Sequence, residues 1–193
     1  MKFLIVVDMQ NDFINGVLGS AEAQAIVDNV RKKIQQYKEN GDMVIYTVDT
    51  HGDDYLSTKE GTKLPIPHCI RDTDGWKIHE ALGVDYSKDL IISKHTFGVT
   101  NMDDLLSSAY CDFVSGNPDF EKDGETHFPE VECLEFIGVC TDICVVSNAL
   151  IAASTFVAPV IVDASCCAGT TPENHQSALK VLKSCLIDVI NEE

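Results

Sequence analysis

Basic residues are scarce in this sequence. Lys and Arg number 14 among 193 residues, against 31 Asp and Glu, and the formal net charge is −17. A field of this sign repels nucleic acids and anionic membranes, so neither is expected as a partner. The one basic cluster, residues 31–33, falls in an amphipathic helical pattern and is predicted to be a solvated helix face. A small neutral or cationic molecule fits such a field better than a polyanion.

Long apolar runs are also missing. The longest ones, such as residues 3–7 and 157–162, have the length of strands, so no transmembrane segment is predicted. The amino terminus, Met1-Lys2 followed by five apolar residues and Asp8, lacks the pattern of a signal peptide. We therefore expect a cytoplasmic protein, and the length predicts a single domain over residues 1–193.

Several common motifs do not occur. The sequence has no CxxC pair, zinc-finger spacing, G-x-S-x-G elbow, G-x-G-x-x-G loop, P-loop or H-E-x-x-H helix. It does have eight cysteines. In a reducing compartment these are not expected to form disulfides, and most are predicted to be small buried apolar residues.

Short apolar runs alternate with longer amphipathic stretches along the chain. Strands are predicted at residues 2–7, 43–48, 89–92, 134–139, 159–162 and 186–190, and helices at 21–40, 101–108, 142–155 and 172–184. This alternation predicts a parallel α/β sheet with helices on both faces. Two long irregular segments, 50–78 and 110–132, remain, and long loops in compact domains are often functional.

Three polar residues follow predicted strands and are expected at one edge of the sheet. They are Asp8, Lys94 and Cys144, which could act as base, cation and nucleophile. Thr141 is predicted to cap a helix, which places Cys144 in its first turn, where backbone N–H groups and the helix dipole favour a thiolate. The alternative is that Cys144 is a core residue of an amphipathic helix.

A second set of residues has the chemistry of a metal site. Asp49 and His51 lie two residues apart at the end of a strand, and His68 follows in a Pro-rich loop that also contains Glu60. Two imidazoles and a carboxylate are a plausible set of ligands for a divalent metal, with Glu60 as a further ligand. The alternative is a loop of solvated polar residues.

Three stretches resemble motifs of one family, the isochorismatase-like cysteine hydrolases. Residues 6–13 (VVDMQNDF) look like its opening motif, and residues 138–145 (GVCTDICV) look like its nucleophile motif. Residues 49–51 (DTH) with 67–69 (PHC) resemble the metal motif of the nicotinamidase branch. The motifs occur in the order typical of the family, and the resemblance spans nearly the whole chain.

The resemblance implies a doubly wound, six-stranded α/β fold and an Asp8, Lys94, Cys144 catalytic triad. It implies a cis peptide between Val139 and Cys140, which turns the N–H groups of Cys140 and Cys144 toward an oxyanion. The implied reaction is hydrolysis of nicotinamide to nicotinate and ammonia through a cysteine thioester, as in NAD salvage. Members of the family are often homo-oligomers, so one is expected here.

The resemblance further implies one divalent metal ion, zinc first and iron or manganese as alternatives. Its implied ligands are Asp49, His51 and His68, with Glu60 matching a position that supplies a ligand in some members. In nicotinamidases this metal binds the pyridine nitrogen of the substrate. Phe13 and Phe97 are expected to form walls around the ring.

The sequence departs from the nicotinamidase pattern at two places. An aromatic residue usually precedes the Pro-His metal motif, where this chain has Pro65 and Ile66. The segment 97–100 reads Phe-Gly-Val-Thr where the family often has Tyr-Ser-Ala-Phe. Two alternatives therefore stay open: the same triad acting on another small amide or an N-carbamoyl compound, and a non-catalytic α/β binding module.

Overall fold

A computed structural model describes residues 1–115, 117–122 and 124–192. In chain order, its regular elements are β1 (Lys2–Val7), α1 (Asn11–Ile14), α2 (Ala21–Ala25), α3 (Val27–Glu39), β2 (Met43–Asp49), β3 (Leu90–Lys94), α4 (Met102–Ser115), β4 (Glu121–Lys122), β5 (Glu125–Thr126), β6 (Cys133–Val139), a π-helical turn (Thr141–Val145), α5 (Val146–Thr155), β7 (Val160–Ala168), α6 (Pro172–Ser184) and β8 (Asp188–Ile190). Short 3-10 turns occupy Tyr55–Ser57, Glu80–Leu82 and Pro118–Phe120. Among the residues described, no helix is long and apolar enough to span a bilayer.

Six strands form one parallel sheet in the order β3-β2-β1-β6-β7-β8. The chain moves outward from β1 to β3 and then returns to β6 on the other side of β1. The carboxyl ends of β1 and β6 therefore border the point where the strand order reverses, which is where ligands bind in open α/β sheets. The sequence-based prediction of a six-stranded, doubly wound α/β sheet is confirmed.

Apolar side chains of β1 alternate between the two faces of the sheet. Phe3, Ile5 and Val7 belong to a core that also contains residues of α4, α5 and α6. Leu4 and Val6 belong to a second core, which is covered by α2 and α3. Since successive residues of a strand point to opposite faces, β1 requires an apolar layer on each side, and helices provide both.

Several element boundaries differ from the predictions. The predicted helix 21–40 is divided at Ile26 into α2 and α3, and α4 runs seven residues past its predicted end, to Ser115. β7 continues to Ala168 because a register shift between Phe136 and Gly138 keeps it paired with β6. β8 begins only at Asp188, since Leu186 has a left-handed backbone (φ 61°) and is 93% exposed.

The basic cluster at residues 31–33 was predicted to be a solvated helix face, and this prediction is wrong for Lys33. Its Nζ lies 2.8 Å from Glu135 Oε1 and 2.7 Å from Asp163 Oδ2. Glu135 and Asp163 are buried, and the Tyr37 hydroxyl donates to Glu135 Oε2 at 2.5 Å. A carboxylate from each of two central strands requires a cation at this place, and the sequence alone does not show that β6 and β7 meet α3.

Replacing Lys33 with Met should destabilise the fold by about 3 kcal/mol, because two buried carboxylates would lose their cation. Lys33→Met would be compared with the matched control Lys32→Met on the exposed side of the same helix, which should change stability by less than about 0.5 kcal/mol. Urea unfolding followed by circular dichroism measures both. Equal free energies of unfolding for the two variants would show that the ion pairs of Lys33 contribute nothing to stability.

The same variant should show a defined pH dependence. Burial alone would raise the pKa of Asp163, but hydrogen bonds from Lys33 and Ser165 hold it below its ordinary value. A lowered pKa in the folded state contributes stability above the unfolded value of about 3.9, and that contribution is lost as the pH falls. The difference in free energy of unfolding between the wild type and Lys33→Met should therefore become smaller below about pH 4.

Candidate active site

Asp8 is the first residue after β1 and is completely buried. Its left-handed backbone (φ 49°) turns the chain sharply at the strand end, a conformation that Asp tolerates better than most residues. The Thr47 hydroxyl donates to Asp8 Oδ1 at 2.7 Å, and Asp8 Oδ2 lies 2.7 Å from Lys94 Nζ. Burial raises the pKa of Asp8 above its ordinary value, although Lys94 opposes this effect.

Lys94 is the last residue of β3 and has 4% of its surface exposed. Its Nζ donates to Cys144 Sγ at 3.6 Å and lies 3.4 Å from Asp49 Oδ1. Burial alone would lower the pKa of Lys94, but the carboxylates of Asp8 and Asp49 hold it above its ordinary value. One buried ammonium group therefore contacts the side chains of Asp8, Asp49 and Cys144.

Cys144 lies in the π-helical turn that follows β6. The Val139–Cys140 peptide is cis, as the resemblance implies. Gly138 has φ 117°, and a Cβ at this position would meet the carbonyl oxygen of Val7 at 2.1 Å. Only glycine fits here, so the nucleophile turn can approach the end of β1 and the Asp8 carboxylate.

The prediction that Thr141 caps the nucleophile helix is wrong. The residue at the N-cap is Cys140, and no side chain caps the helix there. Thr141 is inside the turn, buried, and its hydroxyl lies 2.8 Å from His175 Nδ1. The hydroxyl therefore joins the nucleophile turn to α6, a partner that sequence spacing did not indicate.

The expectation of a stabilised thiolate at Cys144 also differs from the structure. Burial and the Asp8 carboxylate raise the pKa of Cys144 well above its ordinary value, and Lys94 opposes this only in part. These effects favour the protonated thiol in the resting site. A thiol beside a buried carboxylate can become a nucleophile only by giving up its proton to that base.

The four residues that the sequence suggested as metal ligands come together in the structure, and we call them the metal-type cluster. One ligand atom from each of Asp49, His51, Glu60 and His68 lies within 4.8 Å of the others. His51 Nε2 is 3.1 Å from Asp49 Oδ2, and His68 Nε2 is 3.5 Å from Glu60 Oε1. Asp49, His51 and His68 are buried, whereas Glu60 is half-buried at the rim.

The chemistry of this cluster fits a divalent metal ion. Two imidazole nitrogens and two carboxylates are ligands that zinc, iron and manganese all accept. His68 Nδ1 is 2.8 Å from the carbonyl oxygen of Ile66, which directs Nε2 into the cluster. Burial would raise the pKa of Asp49, but hydrogen bonds from His51 and His68 hold it below its ordinary value. Asp49 is therefore held as a carboxylate.

Aromatic side chains border the cluster. The Phe13 ring centroid lies 5.4 Å from that of His68. Tyr55, which sequence reasoning missed, packs edge-on against His51 at 4.7 Å and against His68 at 5.0 Å. Phe97 is 47% exposed and lies three residues after Lys94. Phe13 thus contacts the metal-type cluster, and Phe97 follows the strand that carries the lysine.

Gln10 is a further residue that the sequence-based site did not include. It is fully buried, and its Nε2 donates to the carbonyl oxygens of Asp49 (2.9 Å) and Trp76 (2.7 Å). Its Oε1 accepts from the Asp49 N–H at 2.7 Å. The Gln10 amide therefore fixes both backbone polar groups of Asp49. Its place two residues after Asp8 in the opening motif was the only available signal.

Asn148 was missed as well. Its Nδ2 donates to the carbonyl oxygens of Cys144 (2.8 Å) and Phe97 (3.1 Å), and its Oδ1 accepts from Val99 N–H at 2.9 Å. The residue is fully buried. It lies four residues after Cys144, and such spacing puts both side chains on one face of a helix. That spacing was a usable signal.

Comparison with protein families agrees with this geometry. The Isochorismatase domain model matches residues 2–110 and 127–193. Every candidate catalytic and metal-binding residue lies inside these matched ranges. Of the segment 111–126 between them, the described residues include the end of α4, the 3-10 turn Pro118–Phe120 and the paired strands β4 and β5.

Curated relatives and solved structures are similar over nearly the whole chain. The nicotinamidase of Schizosaccharomyces pombe is 27% identical over 220 residues, covering 98% of this chain and 93% of that protein. The isochorismatase family protein PncA of Bacillus subtilis is 32% identical over 155 residues, 77% of this chain and 76% of that protein.

Among solved structures, the nicotinamidase/pyrazinamidase PncA of B. subtilis has a TM-score of 0.78 at 25% identity, covering 98% of this chain and 99% of that one. The pyrazinamidase of Pyrococcus horikoshii in complex with zinc has a TM-score of 0.75 at 26% identity, covering 99% of each chain. These findings confirm the resemblance to the nicotinamidase branch and the expectation of an amidohydrolase. With a matching family model, the sheet order and the three motifs in agreement, this chain belongs to the isochorismatase family.

Proposed function

We propose that this protein is a metal-dependent nicotinamidase, which hydrolyses nicotinamide to nicotinate and ammonia. The observation that carries the proposal is the position of Lys94 Nζ, 2.7 Å from Asp8 Oδ2 and 3.6 Å from Cys144 Sγ. A base, a cation and a thiol are thereby assembled in one buried site. Residues 1–193 would act as a single hydrolase domain.

The first step forms a thioester. The Asp8 carboxylate takes the proton of the Cys144 thiol, and the thiolate attacks the carboxamide carbon. The N–H groups of Cys140 and Cys144 would hold the negative oxygen of the tetrahedral intermediate. When the C–N bond breaks, Asp8 returns its proton to the nitrogen and ammonia leaves.

The second step releases the acid. A water molecule gives a proton to Asp8 and attacks the thioester carbon, and the thiolate of Cys144 then leaves and is protonated again. Lys94 stays an ammonium throughout, because its pKa is raised. It keeps the Asp8 carboxylate and the sulfur within reach of each other.

Asp49, His51, His68 and Glu60 would hold one divalent ion. When bound, the ion would supply a Lewis-acid position for the pyridine nitrogen and so orient the ring toward Cys144. Zinc is the ion we propose, because the related pyrazinamidase of P. horikoshii was solved in complex with zinc. Phe13 and Phe97 would flank the ring. The cytoplasmic location and the homo-oligomer stay predictions from the sequence.

Purified protein supplied with zinc should release ammonia from nicotinamide. Cys144→Ala removes the attacking atom, so kcat/KM should fall by at least about 10³-fold. Cys185→Ala, which changes an exposed cysteine, is the matched control and should keep wild-type turnover. Ammonia release in a coupled assay measures all three proteins.

A panel of other small amides and N-carbamoyl compounds completes this experiment. If one of these compounds is cleaved and nicotinamide is not, the proposed triad stands and the proposed substrate is wrong. If neither nicotinamide nor any panel compound is cleaved, and Cys144 is not selectively alkylated near neutral pH, the chain is a binding module.

Gln10→Leu should weaken zinc binding about tenfold, because the backbone polar groups of Asp49 lose their partners and the ligand moves. Competition with a coloured chelator measures the zinc affinity without any turnover. Gln24→Leu makes the same chemical change at an exposed position of α2 and is the matched control. Wild-type zinc affinity in a folded Gln10→Leu protein would refute the positioning role.

A further inference from the structure

The segment 97–99 is attached to the nucleophile helix by one side chain. The Asn148 amide has two N–H donors and one acceptor oxygen, and it uses them on the carbonyl oxygens of Phe97 and Cys144 and on the N–H of Val99. A buried amide with all these bonds formed holds its partners in one arrangement. Asn148 therefore joins the backbone of Phe97 to the backbone of Cys144.

Gly98 lets the segment lie close to α5. A Cβ at this position would come within 2.5 Å of Ile151 Cδ1 and 3.5 Å of Ser147 Cβ. Ile151 Cδ1 is the end of a flexible side chain and can move, but Ser147 Cβ is fixed to the helix. A small side chain at residue 98 would be tolerated, whereas a branched one would push the segment away from α5.

Two side chains of α5 donate to carbonyl groups of the π-helical turn that precedes it. Ser147 Oγ donates to the carbonyl oxygen of Ile143 at 2.6 Å, and Asn148 Nδ2 donates to that of Cys144 at 2.8 Å. Of these two side chains, only Asn148 also hydrogen-bonds to the segment 97–99.

We propose that Asn148, together with Gly98, is a positioning element that sets the placement of Phe97 relative to Cys144 and thereby the binding of aromatic amides. The inference rests on the proposed function, since it takes Phe97 as one wall of the substrate pocket. Neither residue is proposed to touch the reacting atoms. They act through the main chain of residues 97–99, a segment in which this chain departs from the nicotinamidase pattern.

The test uses two kinds of variant and measures KM and kcat for nicotinamide. Gly98→Val should raise KM about fivefold, which corresponds to the loss of one aromatic contact with the substrate. The kcat should stay within about twofold of the wild-type value. Gly98→Ala should have a smaller effect, because Ile151 can yield. Asn148→Leu should raise KM similarly and also lower kcat, since the carbonyl of Cys144 loses its donor as well.

Ser147→Ala is the matched control, because it removes a hydrogen bond of the same turn without touching the segment 97–99. Its KM should equal that of the wild type. A purely structural role of Asn148 would lower the melting temperature and leave KM unchanged, and that result would overturn the proposal. If Asn148→Leu fails to fold, the KM of Gly98→Val tests the proposal instead.

A measurement without turnover separates this inference from the proposed function. The rates at which iodoacetamide and its N-phenyl analogue alkylate Cys144 are compared by mass spectrometry. Loss of preference for the aromatic reagent in Gly98→Val, relative to the wild type, supports the positioning role even if nicotinamide is not a substrate. An unchanged ratio of the two rates would refute the role of Asn148 and Gly98, whatever the natural amide is.

Discussion

The buried ammonium group of Lys94 is the interaction on which this site depends. It lies between the carboxylates of Asp8 and Asp49, 2.7 Å and 3.4 Å away, and donates to Cys144 Sγ. Two carboxylates without a cation would repel each other and would be costly to bury. The lysine therefore allows the carboxylates of Asp8 and Asp49 to be neighbours. Each of these residues ends or follows a different strand, so the sheet order brings them together.

The backbone makes this concentration of charge possible. Asp8 adopts a left-handed conformation directly after β1, and Gly138 leaves room for β6 beside the carbonyl of Val7. A side chain at residue 138 would separate the two strand ends, and with them the carboxylate and the thiol. Gln10 and Asn148 then fix the main chain around the charges through buried amides. Neutral amides suit this role, because they bind backbone groups without adding another charge to a site that already has several.

Much of the fold and of the site could be predicted from the sequence. Apolar runs of strand length indicated all six strands of the sheet, and polar residues at their ends indicated Asp8, Asp49 and Lys94. The missed features depend on contacts between distant segments. Lys33 looks like any solvated helix lysine until Glu135 and Asp163 are placed beneath it, and Thr141 looks like a cap until His175 is placed opposite. Local sequence patterns indicate the type and direction of each element, but they do not indicate which distant residues a long side chain will contact.

The differences from the family pattern fall into two groups with unequal consequences for function. The segment 111–126 lies outside the family model, and the chain that follows it binds the amino edge of the sheet, where the Met1 ammonium is 2.9 Å from Glu132 Oε1. That edge is opposite the carboxyl ends of the strands, where Asp8, Lys94 and Cys144 lie. Residues 65–66 and 97–100 instead lie next to His68 and shortly after Lys94 in the chain. Because the triad and the metal-type cluster do not depend on the side chains of these residues, changes there can alter the shape of the pocket while the reaction stays the same. Under the proposed function, those two segments would therefore affect which amide binds, and the charges around Lys94 would set the reaction type.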